Sequence, residues 1–331
     1  MPNLIDAAEA QAIIEEVDPL YRSDLADGPR SRYRVQEAWQ ESPAARALAC
    51  HPRILELLEA LYGRRPFPFQ TLNFCTGTQQ RNHSDCIHFS SQPARFMCGV
   101  WVALEDTDAD NGPLFYAPGS HVLPILTLTD LGMTLATANY AHYEDGVNAA
   151  MQAAGLAFEE VHVPLGTAFV WSANLVHGGT PIRDPQRTRH SQVTHYFFDD
   201  CVYYTPFLSE VPTGELFVRL PVDISTGRQV VPSLNGHAVH FEPAREGLMR
   251  IRYRDSLDSV TDDMRARFAG FAAGSGPEAE AALDELVRVY RSRPDLRDAF
   301  GGFDELDLAR LVSWSLEHGL TTDASAGLLR P

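Results

Sequence analysis

The tripeptide His83-Ser84-Asp85 is the part of the chain with the clearest chemical potential. On an extended segment, side chains two residues apart project from the same face, so the imidazole of His83 and the carboxylate of Asp85 can reach one ion. A third ligand is available in His177, which follows a second strand-like run. Two histidines and one carboxylate leave the other coordination positions of a metal open, as in non-haem Fe(II) oxygenases. The residue types and their spacing therefore predict an iron site.

Arg189 follows His177 at short range and is the candidate for an anion-binding group. Its planar guanidinium can form two parallel hydrogen bonds with one carboxylate. A dicarboxylic cosubstrate could therefore be held by Arg189 at one end while its other end chelates the metal. Because a His-x-Asp triplet by itself occurs often by chance, Arg189 is the residue that makes the prediction specific.

Four segments, in this order, resemble the phytanoyl-CoA dioxygenase family of Fe(II)- and 2-oxoglutarate-dependent oxygenases. They are His83-Ser-Asp85 with His88-Phe89 after it, the strand-like segment 99–105, the segment 111–121 and the block 177–189, so the resemblance covers about residues 70–200. It implies a double-stranded β-helix, a jelly roll like that of the cupins, with iron between two sheets. It also implies Fe(II) as the metal, 2-oxoglutarate as the cosubstrate and O2 as the oxidant.

The resemblance further implies roles for individual residues. His83, Asp85 and His177 are expected to be the metal ligands and the catalytic centre, and Arg189 is expected to bind the distal carboxylate of 2-oxoglutarate. The other residues expected at the cosubstrate site are Thr180, Trp101, Asn73 and Gln80. The candidates for substrate contact are His88, Phe89, Arg95 and His121.

Several of these residues also have a purely structural interpretation. Trp101 lies on a strand-like run, where core packing alone accounts for a tryptophan. Asn73 and Gln80 can be satisfied polar groups of the barrel, and His121 ends a segment typical of a turn. The histidines interpreted as packing or network residues are His190 and His195.

The pattern of residue types along the chain favours a mainly β fold with α additions. Residues 66–254 contain short runs rich in aromatic and β-branched residues, separated by Gly, Pro, Asn and Asp, which favours a jelly roll over alternating βαβ units. Residues 1–65 and 255–331 carry helical patterns, and an insertion with a helix is expected near residues 139–154. We therefore predict one elaborated domain with N-terminal helices, a jelly-roll oxygenase core and a C-terminal helical cover.

Two helices of the N-terminal region have predictable boundaries. Apolar residues at positions 10, 13, 14 and 17 share one helical face, with Asn3 as the expected cap and Pro19 as the expected end. Pro52 and Gly63 predict the start and the end of the second helix. The apolar face expected for this helix consists of Ile54, Leu57, Leu58 and Leu61.

Composition limits the class of protein. The chain has 331 residues, of which 44% are hydrophobic, and this is enough for a sizeable core. A net charge of −17 without any lysine disfavours nucleic acid as a partner and ranks acyl-CoA below other small-molecule substrates. The five cysteines form no CxxC pair, so reduced thiols are expected. Without a span-length apolar run or a basic signal-peptide start, we expect a cytoplasmic monomer or homodimer that does not bind membranes.

These observations favour a 2-oxoglutarate-dependent dioxygenase that hydroxylates, or otherwise oxidises at a C–H bond, a secondary-metabolite, amino-acid-like or sugar-derived compound. Succinate and CO2 would be released. Asp85 disfavours a halogenase, because halogenases of this type replace the carboxylate with a small residue so that chloride can bind. Two alternatives stay open, a cupin-like metal-dependent isomerase or dioxygenase that does not use 2-oxoglutarate and a non-catalytic jelly-roll binding module. Arg189 distinguishes the 2-oxoglutarate-dependent dioxygenase from the cupin-like enzyme, because only the first requires it.

Overall fold

The computed structural model describes residues 1–23, 33–234, 236–245 and 247–252. The helical cover predicted for residues 255–331 lies outside these residues. The described chain is mainly β with some helices. Its α-helices are α1 (Ala7–Ser23), α2 (Pro43–Ala49), α3 (Pro52–Tyr62) and α4 (Tyr140–Ala153). Of the described helices, none combines the length and the apolar character needed to cross a membrane.

The strands fall into larger sheets and short ribbons. The strands of the larger sheets are β1 (Arg34–Gln36), β2 (Pro66–Phe74), β3 (Ser90–Gln92), β4 (Met97–Ala103), β5 (Leu114–Tyr116), β6 (Glu159–Glu160), β7 (Ala168–Ser172), β8 (His177–Gly179), β9 (Ser191–Phe198), β10 (Val202–Tyr204) and β11 (Val218–Arg219). The strands of the ribbons are β12 (Val222–Asp223), β13 (Arg228–Gln229), β14 (Ser233–Leu234), β15 (His237–Ala238), β16 (His240–Pro243) and β17 (Met249–Arg252).

An antiparallel sheet of order β1-β2-β9-β4-β7 is the main sheet. Every residue of β4 and β9 is buried, so both faces of the sheet are covered. Alternate residues of β4 point to opposite faces. Cys98, Val100 and Val102 pack in a cluster with α1, α2 and α3, whereas Trp101 and Ala103 pack in a separate cluster. The helices thus cover one face and leave the other face for the site.

A smaller antiparallel sheet of order β6-β5-β8 packs on that other face. Leu114 of β5 shares a hydrophobic cluster with Trp101 and Val193 of the main sheet. The first residue of β8 is His177, which forms an isolated antiparallel bridge with His83. Strand pairing therefore brings together two histidines that are far apart in the sequence.

The predicted boundaries of the first helix are wrong at both ends. Asp6, and not Asn3, caps α1: its Oδ1 accepts hydrogen bonds from the backbone N–H groups of Ala8 and Glu9, both at 2.9 Å. The carboxylate of Glu9 accepts in return from the N–H of Asp6 at 2.9 Å, which completes a capping box. Pro19 lies inside the helix. The helix continues past it because Ile13 and Val17 before it and Tyr21 after it are buried in the helical cluster, and this burial outweighs the local cost of proline.

The second helix prediction is confirmed in its bounds. Gly63 follows α3 as its C-cap with φ of 68°, a left-handed conformation that favours glycine. The predicted apolar face is too wide, however, because Leu58 is fully buried whereas Leu61 is 62% exposed. In the segment expected to carry an insertion, the side chain of Asn139 caps α4.

Candidate active site

His83, Asp85 and His177 converge in the interior of the described fold. Their candidate ligand atoms all lie within 4.8 Å of one another, and all three side chains are buried. Nε2 of His83 is 3.7 Å from Oδ1 of Asp85, and Nε2 of His177 is 3.9 Å from Oδ2 of the same carboxylate. Two reciprocal backbone hydrogen bonds of 3.0 Å between His83 and His177 fix the distance between the histidines. One ion can therefore reach all three groups.

The segment from His83 to Asp85 is extended over only part of its length. Ser84 has extended backbone angles, but Asp85 begins a short 3₁₀ turn, Asp85–Ile87. The extended geometry considered for the two ligands therefore holds up to Ser84 and gives way to the turn at Asp85. The Ser84 hydroxyl donates to the carbonyl of Ala173 at 3.0 Å, which ties this turn to the connection between β7 and β8, just before His177.

Backbone carbonyls orient both imidazoles. Nδ1 of His83 lies 2.9 Å from the carbonyl of Arg81, and Nδ1 of His177 lies 3.0 Å from the carbonyl of Leu175. Since a carbonyl only accepts, each Nδ1 carries the proton and each Nε2 presents a lone pair towards Asp85. Such outer hydrogen bonds are typical of histidines that bind metals.

The charge states of the ligands suit a cation. Burial, followed by the nearby His177, lowers the pKa of His83 to about 4. Burial alone would raise the pKa of Asp85, but the electrostatic interactions with the neighbouring imidazoles of His177 and His195 outweigh it and hold that pKa well below its usual range. At neutral pH, Asp85 is therefore ionised and His83 is neutral, the forms in which carboxylates and imidazoles bind metals.

Trp171 fixes the second oxygen of the carboxylate. Its indole N–H donates to Oδ2 of Asp85 at 2.8 Å. Gly99 lies opposite Trp171 in the pairing of β4 with β7. A Cβ at position 99 would approach Cε2 of the indole to 2.4 Å, so only glycine leaves the ring in this position. Glycine at position 99 therefore leaves room for the Trp171 indole, and the indole in turn holds the carboxylate of Asp85.

A cavity of about 60 Å³ connects the triad to Arg189. By the same measure one water needs about 10–15 Å³, so the cavity has room for several atoms of a ligand. The residues that line it are Leu72, Phe74, Thr78, Gln80, His83, Asp85, Trp101, Leu114, Trp171, His177, Gly178, Arg189, Val193 and His195.

Arg189 is a buried cation, and no carboxylate of the described residues lies within ion-pair distance of it. The side chain is 1% exposed, its Nη1 donates to the Ser191 hydroxyl at 3.1 Å, and its Nε is buried without a hydrogen-bond partner. Burial lowers the pKa of Arg189 to about 10, which still leaves it charged at neutral pH. The guanidinium carbon lies 5.6 Å from the ring centre of Trp101, whose indole N–H is also buried and unpartnered. A buried charge without a counter-charge is unfavourable, so this end of the cavity suits a carboxylate.

Of the remaining residues expected at the cosubstrate site, some line the cavity and others lie outside it. Gln80 lines the cavity, and its Nε2 is 3.3 Å from Nε2 of His83. Asn73 is buried but lies outside the lining of the cavity, and its amide donates to Gln192 at 3.1 Å. Side chains alternate along β2, so Asn73 lies on the face opposite its neighbours Leu72 and Phe74, which line the cavity. The Thr180 hydroxyl also lies outside this lining and donates to a carbonyl at 3.1 Å.

The substrate candidates divide in the same way. His88 and Phe89 follow the turn that begins at Asp85, and the ring centre of Phe89 is 5.2 Å from that of His195. Arg95 and His121 are exposed, and Arg95 donates to the backbone carbonyl of His121 at 3.4 Å. The structure therefore brings His88 and Phe89 close to the triad and leaves the other two at the surface.

His195 is the cavity residue that sequence reasoning assigned to packing. Its Nε2 is 3.7 Å from Oδ2 of Asp85, and its Nδ1 is 2.9 Å from the amide oxygen of Gln70. The signal was present in the sequence, because Arg189, Val193 and His195 are separated by even numbers of residues and share one face of an extended segment. Sequence reasoning also missed Thr78 and Trp171.

The fold and the site define a mainly β protein with a buried site of two histidines and one carboxylate. The chain belongs to the phytanoyl-CoA dioxygenase (PhyH) family, which residues 1–191 match, and the predicted family is thereby confirmed. A protein of Caenorhabditis elegans described as a probable phytanoyl-CoA dioxygenase is 22% identical over 266 residues, which cover 76% of this chain and 80% of that protein.

Among solved structures, the carbocyclase SnoK from nogalamycin biosynthesis, described as non-heme and alpha-ketoglutarate-dependent, is similar with a TM-score of 0.51 and 18% identity over 61% of this chain and 80% of SnoK. The epimerase SnoN of the same biosynthesis has a TM-score of 0.48 and 21% identity over 76% of this chain and 92% of SnoN. The predicted cofactors, iron and 2-oxoglutarate, agree with the family and with the triad.

Proposed function

We propose that this chain is an Fe(II)- and 2-oxoglutarate-dependent dioxygenase that oxidises a C–H bond of a small molecule, with hydroxylation as the reaction. The observation that carries the proposal is one cavity with a metal-binding triad at one end and Arg189 at the other. Arg189 has no ion-pair partner among the described residues. A metal site alone would fit many enzymes. The buried cation adds a requirement for a ligand that is anionic at its far end, and 2-oxoglutarate meets it.

His83, Asp85 and His177 would hold the iron. Their orientation is set by the backbone carbonyls and by Trp171, so little rearrangement is needed on binding. The chemistry that Fe(II), 2-oxoglutarate and O2 supply when bound is the oxidation of an unactivated C–H bond, with succinate and CO2 as products. Because Asp85 occupies one metal position, a halide has no vacated carboxylate site, and this favours hydroxylation over halogenation.

Arg189 would bind the distal carboxylate of 2-oxoglutarate through its guanidinium fork. The indole N–H of Trp101 is a second free donor in the same part of the cavity. Apolar side chains form much of the wall between Arg189 and the triad, so water would be excluded around the bound cosubstrate. These apolar residues are Leu72, Phe74, Leu114 and Val193.

The side of the triad near His88 and Phe89 would receive the substrate. Gln80 is exposed at the edge of the cavity and reaches His83, so it would lie between the solvent and the metal. These groups would position the reacting carbon; holding it at the right distance is the main contribution that the protein can make to such a reaction.

We also propose the double-stranded β-helix as the core, over residues 66–254 of a single domain. The main sheet and the β6-β5-β8 sheet both contribute residues to the cavity, which supports a site between two sheets. A cytoplasmic monomer or homodimer without nucleic-acid or membrane partners belongs to the same proposal.

The decisive experiment adds Fe(II) and 2-oxoglutarate to metal-free protein without oxygen and records the visible charge-transfer band of the chelate. We expect the band in the wild type and its loss in His177→Ala and Arg189→Ala. Arg187→Ala is the matched control, because Arg187 pairs with Asp108 at 2.9 Å on the surface and is not part of the cavity wall. It should keep the band.

Metal binding without the band in the wild type, or a full band in Arg189→Ala, would contradict the proposal and favour a cupin-like enzyme without 2-oxoglutarate. If the band behaves as expected, succinate release under oxygen is then measured with candidate carboxylate, amino-acid-like and sugar-derived compounds. A compound that accelerates succinate release in the wild type but not in His177→Ala identifies the substrate class.

A further inference from the structure

Arg219 is a second cation close to the proposed active site. It lies on β11 with its guanidinium carbon 4.8 Å from the ring centre of Phe89. Its Nη1 donates to the hydroxyl of Thr205 at 3.0 Å. No carboxylate of the described residues lies within ion-pair distance of it. Arg219 therefore has charge and donors to offer to a ligand.

Arg219 is partly buried, whereas most of the described arginines are exposed. Burial lowers the pKa of Arg219, as it does for Arg189. Some exposed arginines, such as Arg65 and Arg81, have a carboxylate within ion-pair distance, and others, such as Arg53, are exposed enough for water to solvate their charge. The chain has 44 acidic and 27 basic residues, so a shortage of acids does not explain the unpaired charge. Glu37 acts on Arg219 only from beyond ion-pair distance, so a bound anion would compensate the charge more closely.

Two side chains connect Arg219 to the triad. The ring of Phe89, on which Arg219 lies, has its centre 5.2 Å from that of His195, and Nε2 of His195 is 3.7 Å from Asp85. Arg219 is not among the residues that line the cavity of Arg189. It is therefore close enough to hold the far end of a substrate, but separate from the proposed cosubstrate site.

Further flat side chains adjoin Phe89, beginning with the ring of His88 at 6.2 Å between ring centres. His88 stacks on Tyr140 with ring centres 5.1 Å apart, and Tyr140 contacts Phe207 edge-on at 5.9 Å. Phe207 belongs to the 3₁₀ turn that directly follows Thr205, the residue that binds Arg219. The Tyr140 hydroxyl is buried without a well-formed hydrogen bond to a described residue. The aromatic side chains of His88, Tyr140 and Phe207 are suited to contact a ring or another flat apolar group that carries a polar substituent near Tyr140.

We propose that Arg219 binds the carboxylate of the substrate, and that the substrate class is therefore a small organic carboxylate with a flat ring. The proposal rests on the proposed function, since it assigns the substrate of that site. One guanidinium matches a singly charged, planar carboxylate in a bidentate arrangement. A phosphate dianion would keep part of its charge uncompensated in a protein of net charge −17.

The test measures the binding of three probes, benzoate, benzamide and phenyl phosphate, by ligand-observed NMR. The protein is first saturated with Zn(II), a redox-inert substitute for iron, and with 2-oxoglutarate, so that Arg189 is occupied. We expect benzoate to bind about tenfold more tightly than benzamide, as one charge-assisted pair allows. Arg219→Gln should abolish this difference, and Arg219→Lys should retain part of it.

Arg64→Gln is the matched control, because Arg64 also lies over a phenylalanine ring, that of Phe96 at 4.2 Å. It should keep the preference for benzoate. Equal binding of benzoate and benzamide, or no binding of benzoate, overturns the proposal. Tighter binding of phenyl phosphate than of benzoate overturns the assignment of a carboxylate.

The band of the Fe(II)–2-oxoglutarate chelate separates this proposal from the proposed function. If the band forms in the wild type and in Arg219→Gln while benzoate shows no preference, only the role of Arg219 fails. If the band is absent from the wild type, the proposed function fails, whatever the probes show.

Discussion

Replacing Trp171 with phenylalanine tests how the carboxylate of the triad is held. The change removes the indole N–H that donates to Oδ2 of Asp85 at 2.8 Å but keeps an aromatic ring. A hydrogen bond to a charged group contributes about 1.5–3 kcal/mol, and each 1.4 kcal/mol corresponds to about a tenfold change in an equilibrium constant. We therefore expect Trp171→Phe to weaken metal binding by about 10–100-fold, the range typical of residues that orient metal ligands.

The assay titrates Fe(II) without oxygen into metal-free protein in competition with a chelating dye. Trp101→Phe is the matched control. Trp101 is a buried tryptophan that lines the same cavity from the adjacent strand β4, but its N–H has no partner among the described residues. Both substitutions replace an indole with the smaller phenyl ring, but only Trp171→Phe removes a hydrogen-bond donor to Asp85. Thermal unfolding of the metal-free variants shows that both are folded.

The reasoning is refuted if Trp171→Phe binds iron as tightly as the wild type, or if Trp101→Phe weakens binding to the same extent. The first result would mean that Asp85 is oriented without the indole. The second would mean that the volume of the cavity, and not the hydrogen bond, controls affinity.

Three further predictions concern other parts of the described chain. Leu58→Ala, at a fully buried position of α3, should lower the free energy of unfolding in urea by about 2–5 kcal/mol, whereas Leu61→Ala, at a position that is 62% exposed, should change it by less than about 0.5 kcal/mol. Burial raises the pKa of the Cys50 and Cys75 thiols to about 11, so their alkylation by iodoacetamide, followed by mass spectrometry, should still accelerate above pH 9, because the thiolate is the reactive form. Arg81→Ala removes exposed ion pairs to α4 and should leave global stability nearly unchanged while amide hydrogen exchange in α4 becomes faster.

Each of these predictions has an outcome that contradicts it. Similar losses of stability for the two leucine variants would contradict the assigned buried face of α3. Alkylation rates that level off by about pH 10, as expected of a free thiol with a pKa near 8.5, would mean that burial does not suppress ionisation of these cysteines. Unchanged exchange in α4 after Arg81→Ala would show that other contacts hold the helix on the loop of His83.

The triad and Arg189 could be predicted because their signals are local. A His-x-Asp triplet and an arginine shortly after a histidine can be recognised in the sequence without knowledge of strand pairing. The orientation of Asn73 could not be predicted in this way. Both faces of β2 are buried, so polar and apolar residues do not alternate along it and the sequence does not show which face Asn73 occupies.

Pro19 illustrates the limit of local rules in a different way. Proline ends most helices because it lacks a donor and clashes with the preceding turn. In α1 the apolar residues on either side of Pro19 are buried against the main sheet and α2, and this packing is invisible to a rule that considers only the neighbouring residues. His195 differs from both, because its even spacing from Arg189 on one extended segment already indicates that the two side chains share a face.

The contact of Gly99 with Trp171 has a consequence for exchanging segments between relatives of this protein. The two residues lie on different strands, yet the indole fills the space that a side chain at position 99 would need. A chimaera that takes β4 from a relative with any side chain at this position, and keeps β7 from this chain, would displace the ring that fixes Asp85. Recombination and stepwise evolution must therefore treat these two positions as one inherited unit.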